Sequence, residues 1–162
     1  ELLFVLEKGY NGSIGIKTVN LLPDRTDEFN FKLEEEQNTA IDFGEPSAHL
    51  YEPNAAILKS GGFTSVAKTY KLKKLHPHSH LYTADTLVDF PGRRFTIEKT
   101  LPYSKKSIRS MAVPKANITT RNFPLSVAEL RKRHTIKDGG ETYLFFTTDI
   151  NDNLIFLLCK KI

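Results

Sequence analysis

Three histidines stand at alternate positions in the segment His76-Pro77-His78-Ser79-His80. By residue type they are the best candidates for a metal site, because imidazole nitrogens bind zinc and related ions. Alternate positions bring three imidazoles to one side only in an extended segment, and Pro77 disfavours a regular strand. A zinc site also usually recruits cysteine or a more distant ligand. We therefore interpret the segment as a surface loop and predict no metal site.

Isolated nucleophilic and acidic residues give no convincing catalytic pattern. Cys159 lies in the apolar run Phe156-Leu157-Leu158-Cys159, where a buried cysteine is most simply a small hydrophobic side chain. Asp85 and Asp89 stand four residues apart, a spacing too common to indicate paired carboxylates. We predict no catalytic residue in this chain.

The glycines do not form a nucleotide-binding loop. Gly12-Ser13-Ile14-Gly15 and Gly61-Gly62 lack the spacing of a dinucleotide fingerprint or a phosphate loop. No predicted strand leads through a glycine turn into a helix, as binding of S-adenosylmethionine would need. We therefore expect neither a complete methyltransferase or dehydrogenase core nor a cofactor within these residues.

The basic residues form a more informative pattern. Arg131-Lys132-Arg133-His134 lies on a predicted helix whose buried side is Val127 and Leu130. Arg121 precedes this helix on a strand, and Lys137 follows it. A helix with one apolar stripe and a dense basic face can contact phosphates, because each neutralised phosphate releases counterions. A merely solvated helix face is the alternative. Further positive charge lies nearby in sequence at Lys105, Lys106, Arg109 and Lys115.

The net charge of +4 is unevenly distributed. Residues 1–52 hold four Lys and Arg against eleven Asp and Glu, whereas residues 53–162 hold nineteen against eight. This polarity suggests an anionic partner for the second part, and the acidic first part could face a basic neighbouring domain. The alternative is that both parts are ordinary solvated surfaces.

Length and composition indicate a folded globular chain. Hydrophobic residues make up 40% of its 162 residues and charged residues 26%. No apolar run approaches the roughly 20 residues of a membrane helix, and nothing resembles a signal peptide. A single cysteine allows no internal disulfide, so we expect a cytoplasmic protein without a membrane partner. Because Glu1 opens directly into an apolar run, we also expect that the chain is part of a longer protein.

The first part of the chain predicts strands with a helical insert. Residues 2–6 and 14–19 are apolar or β-branched, and Tyr10-Asn11-Gly12-Ser13 between them is typical of a hairpin turn. Residues 29–33 alternate as a half-buried strand does, and Glu34-Glu35-Glu36 should end it. In chain order we then expect a loop over 44–52, a helix over 55–59 begun at Pro53 or Asn54, a break at Gly61-Gly62, a helix over 64–70 and a strand near 81–83.

The second part predicts the order strand, helix, strand, helix and closing hairpin. Ser126 and Glu129 fit a capping box, in which each side chain satisfies a free amide at a helix start. That helix should run to about Ile136 and end at Asp138-Gly139-Gly140. The other expected elements are a strand over 94–101, a helix over 104–111, and strands over 118–123, 142–148 and 154–160. The chain is therefore predicted to be α+β, with two small modules that meet near residues 90–95.

Several longer motifs occur together in a fixed order. They resemble the C-terminal region of a bacterial family of proposed class I S-adenosylmethionine-dependent methyltransferases, in which a Rossmann-like domain precedes a ferredoxin-like module and a THUMP-like domain. The resemblance covers nearly the whole chain. The motifs are Leu50-Tyr51-Glu52-Pro53-Asn54-Ala55-Ala56-Ile57-Leu58-Lys59, Leu75-His76-Pro77-His78-Ser79-His80-Leu81-Tyr82-Thr83, Asp89-Phe90-Pro91-Gly92-Arg93, Arg121-Asn122-Phe123-Pro124-Leu125-Ser126, Glu129-Leu130-Arg131-Lys132-Arg133 and Lys137-Asp138-Gly139-Gly140.

The resemblance implies a ferredoxin-like, hairpin-rich module over residues 1–92 and a THUMP-like βαβαββ module over 93–162. It also implies an upstream catalytic domain that holds S-adenosylmethionine, and it carries no cofactor-binding residue into this chain. Glu52-Pro53-Asn54 matches a family motif, which a turn at the start of a helix explains adequately.

THUMP domains usually help present an RNA to an attached catalytic domain. The resemblance therefore implies RNA, such as tRNA or rRNA, as a partner of this chain. The candidates for RNA contact are Arg121, Arg131, Lys132, Arg133, His134 and Lys137.

Three hypotheses about function remain open at this point. The first is a non-catalytic, RNA-binding region of a methyltransferase. The second is a structural module that docks the catalytic domain or a subunit without binding RNA. The third makes a small molecule or a protein the methyl acceptor of the parent enzyme.

Overall fold

Nine strands and five short helices build the computed structural model, which describes residues 1–162. No helix has the length and apolar character that a membrane span needs. In chain order the elements are β1 (Gly15–Leu21), β2 (Thr26–Lys32), α1 (Leu33–Asn38), β3 (His49–Pro53), α2 (Ala55–Ser60), α3 (Phe63–Tyr70), β4 (Lys73–Lys74), β5 (Tyr82–Ala84), β6 (Gly92–Pro102), α4 (Lys105–Ser110), β7 (Lys115–Thr120), α5 (Val127–His134), β8 (Lys137–Thr148) and β9 (Leu154–Lys161).

β1 and β2 form a two-stranded antiparallel hairpin. Its inner face carries Phe29 and Phe31, whose ring centroids lie 5.8 Å apart in the core. The hairpin predicted between residues 2–6 and 14–19 is therefore wrong, because β1 pairs with the strand that follows it. Burial of the two phenylalanines against β1 and the helices beyond it outweighs the local Asn11-Gly12 turn preference.

The other seven strands form one sheet in the order β4-β5-β3-β6-β9-β8-β7. Neighbouring strands are antiparallel except β7 and β8, which are parallel. β3 and β6 pair from His49 opposite Thr96 to Pro53 opposite Gly92. The sheet therefore continues without interruption from the first part of the chain into the second.

The helices cover one face of this sheet. Strand alternation and pairing place Tyr51, Leu144 and Leu158 on that face. α2 covers Tyr51 with Ile57, and α5 covers Leu144 and Leu158 with Leu130. Two buried clusters thus lie side by side on this face, one under α2 and α3 and the other under α4 and α5.

The opposite face of the sheet has no helix. Phe95 and Phe145 lie there with ring centroids 4.8 Å apart. Leu75 and Leu81, from the loop between β4 and β5, complete this third buried cluster. This loop contains the three histidines that the sequence analysis singled out.

The second part of the chain confirms the predicted order, since β6, α4, β7, α5, β8 and β9 follow one another as βαβαββ. The capping box is also confirmed. Ser126 Oγ accepts a hydrogen bond from the backbone N–H of Glu129 at 3.3 Å, and the Ser126 N–H donates to Glu129 Oε2 at 2.8 Å.

One predicted boundary is wrong. Residues 49–52 were expected as part of a loop but belong to β3, in which Leu50, Tyr51 and Glu52 are all buried. A strand covered on both faces loses the alternating pattern that sequence analysis depends on. Glu34-Glu35-Glu36 does end β2, but it continues as α1, and Glu36 accepts hydrogen bonds from two backbone amides at the start of α3.

The Asp138-Gly139-Gly140 segment does not terminate the preceding helix. α5 already ends at His134, and Thr135 takes the left-handed conformation with φ of 57°. The two glycines, with φ of 91° and 86°, belong to β8, where the register with β7 shifts. Positive φ suits glycine, so here the pair makes an irregularity within a strand.

Candidate nucleic-acid interface

Arg121 is bound within the protein by a buried carboxylate. It follows β7 and donates to Glu52 Oε1 from Nε at 3.0 Å and from Nη2 at 2.8 Å. Arg93 donates from Nε to the other oxygen, Oε2, at 2.6 Å. The Glu52 side chain is 3% exposed, and the two guanidinium groups supply the partners that a buried charge requires. The structure therefore places Arg121, a candidate for RNA contact, in a structural ion pair.

The role of Glu52 was missed in the sequence. It lies on β3, whereas Arg93 and Arg121 follow some forty and seventy positions later, so no local spacing connects them. The Arg93 guanidinium also lies over the rings of Phe95 and Phe145, at 5.6 and 5.9 Å from their centroids. A carboxylate within the apolar motif Leu50-Tyr51-Glu52 was the one signal that could have suggested a buried ion pair.

Arg131 is also engaged in internal contacts. Its Nη1 donates to the backbone oxygen of Ala116 at 3.2 Å and to that of Ile136 at 3.4 Å. Its Nη2 forms an ion pair with Asp138. With 22% of its side chain exposed, Arg131 ties α5 to the starts of β7 and β8. The basic stretch predicted on this helix thus contains one structural arginine.

Three cations that form no ion pair border a groove between α4 and α5. The groove encloses about 420 Å³ and is lined by Lys105 and Arg109 from α4 and by Arg133 and His134 from α5. Lys105, Arg109 and Arg133 are exposed and form no ion pair. We call these three residues the groove cations. Lys132 and Lys137 are exposed and unpaired as well.

His134 differs from its basic neighbours on α5. Its Nε2 lies 3.0 Å from the hydroxyl of Tyr103, and the ring is partly buried. Burial, and then the charges of Arg133, Lys105 and Arg109, lower the pKa of His134 below its ordinary value. The lowered pKa favours the neutral form of His134.

The histidine loop is more buried than predicted, because it fills the helix-free side of the sheet. His76 is 7% exposed, and both of its ring nitrogens are used. Nδ1 faces the side-chain amide of Asn122 at 2.9 Å and the backbone N–H of His78 at 3.1 Å, and Nε2 faces Asp152 at 3.0 Å. The prediction of a surface loop is thus wrong for His76. The structure contains no group of three side chains placed to hold a metal ion.

His80 completes the packing of this loop. Its ring stacks on Phe63 with centroids 3.6 Å apart, and its φ is 52°. Burial first, and then the charges of Lys74 and Arg121, lower its pKa to about 4. The loop therefore links the α3 side of the molecule, through His80, to the β7 and β8 side, through His76.

Cys159 and the glycine pair have structural positions. Cys159 is 1% exposed, and burial followed by the charge of Glu98 raises the pKa of its thiol, which disfavours the reactive thiolate. A side chain added at Gly62 would collide with the ring of Phe31, so this glycine permits close packing of α3 on the hairpin. The pair Gly61-Gly62 lies between α2 and α3.

Comparison with known families divides the large sheet into two domains. Residues 49–91 match a ferredoxin-like domain, and residues 92–161 match a THUMP domain-like family. The chain thus contains a ferredoxin-like domain followed by a THUMP-like domain, and the predicted α+β class with these two modules is confirmed.

The chain is also similar to a solved structure, that of a proposed methyltransferase from Porphyromonas gingivalis W83. The two are 41% identical and superpose with a TM-score of 0.86. The match covers 91% of this chain and 38% of the other, so this chain spans well under half the length of that protein. Comparison with the curated proteins gives no match.

Proposed function

We propose that this chain is the RNA-contacting accessory region of a methyltransferase and that the groove between α4 and α5 binds the phosphate backbone. The observation that carries this proposal is the set of groove cations, Lys105, Arg109 and Arg133, which lie together without internal partners. The THUMP-like domain that contains them belongs to a class generally associated with RNA.

The distribution of charge supports this choice of surface. The THUMP-like residues 92–161 hold fourteen Lys and Arg against six Asp and Glu. Some of these cations form ion pairs with Glu52 or Asp138, whereas the groove cations form no ion pair within the chain. Phosphate contacts of this kind position an RNA without selecting its sequence.

The methyl-transfer chemistry belongs, in this proposal, to residues outside the chain. In this proposal S-adenosylmethionine would be held by a separate catalytic domain. The groove would hold an RNA, such as a tRNA or an rRNA segment, while the acceptor atom reaches that domain. The similar solved chain is that of a proposed methyltransferase, and the match covers 38% of it. This similarity supports a catalytic domain separate from the RNA-contacting region.

The test compares RNA binding by the wild-type chain with that of a Lys105→Ala, Arg109→Ala, Arg133→Ala variant. Affinity for purified tRNA and for mixed cellular RNA is measured over a salt series. Because each phosphate contact contributes about 0.7 to 0.9 to the slope of log affinity against log salt, the variant should lose about 2 to 3 from that slope.

The matched control removes three other exposed cations, Lys59, Lys68 and Lys73, from the ferredoxin-like side. It changes the net charge equally, so a similar loss of affinity would show non-specific attraction instead of a site. Absence of RNA binding even at low salt would refute the proposal and favour a domain-docking module whose enzyme methylates another acceptor.

A further inference from the structure

The first residues of the chain expose an uninterrupted apolar run. Leu2, Leu3, Phe4, Val5 and Leu6 are between 70% and 92% exposed. No hydrogen bond involves their backbone, and none of them joins a buried cluster. Within this chain, then, neither the side chains nor the peptide groups of residues 2–6 have a partner.

The sequence of residues 2–6 indicates the kind of sheet that this segment would join. In an extended strand Leu3 and Val5 point to one side and Leu2, Phe4 and Leu6 to the other. A strand at the surface of a two-layer domain needs apolar side chains on one side only, as β2 shows with exposed Asn30 between buried Phe29 and Phe31. Strands that are apolar on both sides are typical of sheets covered by helices on both faces.

The sheets of this chain leave residues 2–6 unpaired, although β9 shows that a strand apolar on both sides fits a sheet covered by helices on one face and by a loop on the other. The large sheet carries helices on one face only, and its other face is filled by residues of the loop between β4 and β5. The β1–β2 hairpin has two strands and an exposed outer face. Residues 7–14, which include Gly9 and Gly12, separate the run from β1 and can span up to about 27 Å when extended.

We propose that residues 2–6 form a strand in a sheet that is covered on both faces and belongs to the catalytic domain of the same protein. This proposal rests on the proposed function for the existence of that domain. The similar solved chain supports it, because more than half of that chain lies outside the match. The accessory region is then anchored by a strand shared with the catalytic domain and not by surface contact alone.

Hydrogen exchange on the full-length protein tests this anchoring. We expect the amides of residues 3–6 to exchange at least about a hundredfold more slowly in the full-length protein than in the 162-residue chain. The amides of residues 8–13 should remain fast in both. Equal exchange of residues 3–6 in the two proteins would refute the proposal.

Substitutions test whether both faces of the strand are covered. In the full-length protein, Leu3→Asp and Phe4→Asp should each lower the melting temperature of the catalytic domain, since the two side chains lie on opposite faces. The matched control is Leu21→Asp, because Leu21 is 78% exposed on the outer face of β1. Tolerance of one of the two strand variants would contradict a strand buried on both sides.

The remaining outcomes separate this proposal from its alternatives. If the full-length protein dimerises through residues 2–6, as shown by loss of the dimer in Leu3→Asp, the partner is a second copy and the proposal fails. RNA binding by the 162-residue chain does not depend on Leu3 in either case. Failure of RNA binding together with slow exchange at residues 3–6 would reject the RNA function and retain the strand.

Discussion

At the scale of single residues, Glu52 connects distant parts of the chain, because its carboxylate binds Arg93 and Arg121. It is almost completely buried, yet its partners Arg93 and Arg121 are 43% and 36% exposed. The carboxylate therefore holds two guanidinium groups at the junction of the two domains and offsets one of their two positive charges. The same reasoning applies to Arg131, so Arg133 and not Arg131 is the residue on α5 to test for RNA contact.

We predict that Glu52→Gln lowers the free energy of unfolding by about 2 to 3 kcal/mol. The amide cannot neutralise two guanidinium groups, but water can partly solvate them, so the loss stays near the lower end for a broken buried pair. Urea denaturation measures it. The exposed carboxylate of Glu98 provides the control, and a loss of similar size in Glu98→Gln would argue against a special role for Glu52.

His80 predicts a dependence of stability on pH. Its pKa falls from 6.5 to about 4 on folding, so between these values the unfolded chain binds a proton that the folded chain does not. This contribution to stability is complete above pH 6.5 and is lost as the pH falls towards 4. We expect His80→Asn, which tolerates the positive φ, to show a shallower loss of stability over this range.

Denaturation at several pH values between 7.5 and 4 checks this expectation. Carboxylates titrate in both proteins, so the difference between the two profiles isolates His80. The control is His78→Asn, which removes an exposed histidine from the same loop. Parallel profiles for wild type and His80→Asn would contradict the buried, neutral state of this imidazole.

At the scale of elements, local signals predicted the helices well and the strand partners poorly. Asn54, Ser104 and Ser126 each accept a hydrogen bond from the amide three residues later, and each begins a helix where the sequence placed one. A cap involves neighbouring residues, so sequence alone contains it. The partner of β1 was mispredicted because pairing depends on which strand buries the phenylalanines of β2, and that is a tertiary property.

The groove between α4 and α5 shows the same limit at the candidate site. Arg133 was predicted as a contact, whereas Lys105 and Arg109 were noted only as nearby charge. The packing of α4 against α5 brings the three together, although they come from helices separated by β7. The periodicity of either helix does not show that α4 and α5 pack together, because they are separated in sequence by β7.

At the scale of the whole molecule, the two domains share a sheet. β3 of the ferredoxin-like domain pairs along its length with β6 of the THUMP-like domain, and Glu52 and His76 add side-chain contacts across the junction. We therefore predict that the chain unfolds in one cooperative transition. Calorimetry should give equal calorimetric and van't Hoff enthalpies, whereas two resolved transitions would show independent domains.

A substitution at the junction sharpens this test. A side chain added at Gly92 would collide with the backbone of Glu52 and Pro53, so Gly92→Ala should lower the single melting temperature. A side chain at Gly15 would meet nothing within 4 Å, which makes Gly15→Ala the control. Destabilisation of only one part of the chain in Gly92→Ala would show that the domains fold separately.

The sequence by itself determined the α+β class, the βαβαββ order of the second domain, the helix starts and the charge difference between the two parts of the chain. These properties follow from composition, periodicity and contacts between residues close in sequence. Only the tertiary structure decided which cations are free. Arg121 and Arg131 form ion pairs with Glu52 and Asp138, and a charge is most available to a ligand where folding leaves it without a partner.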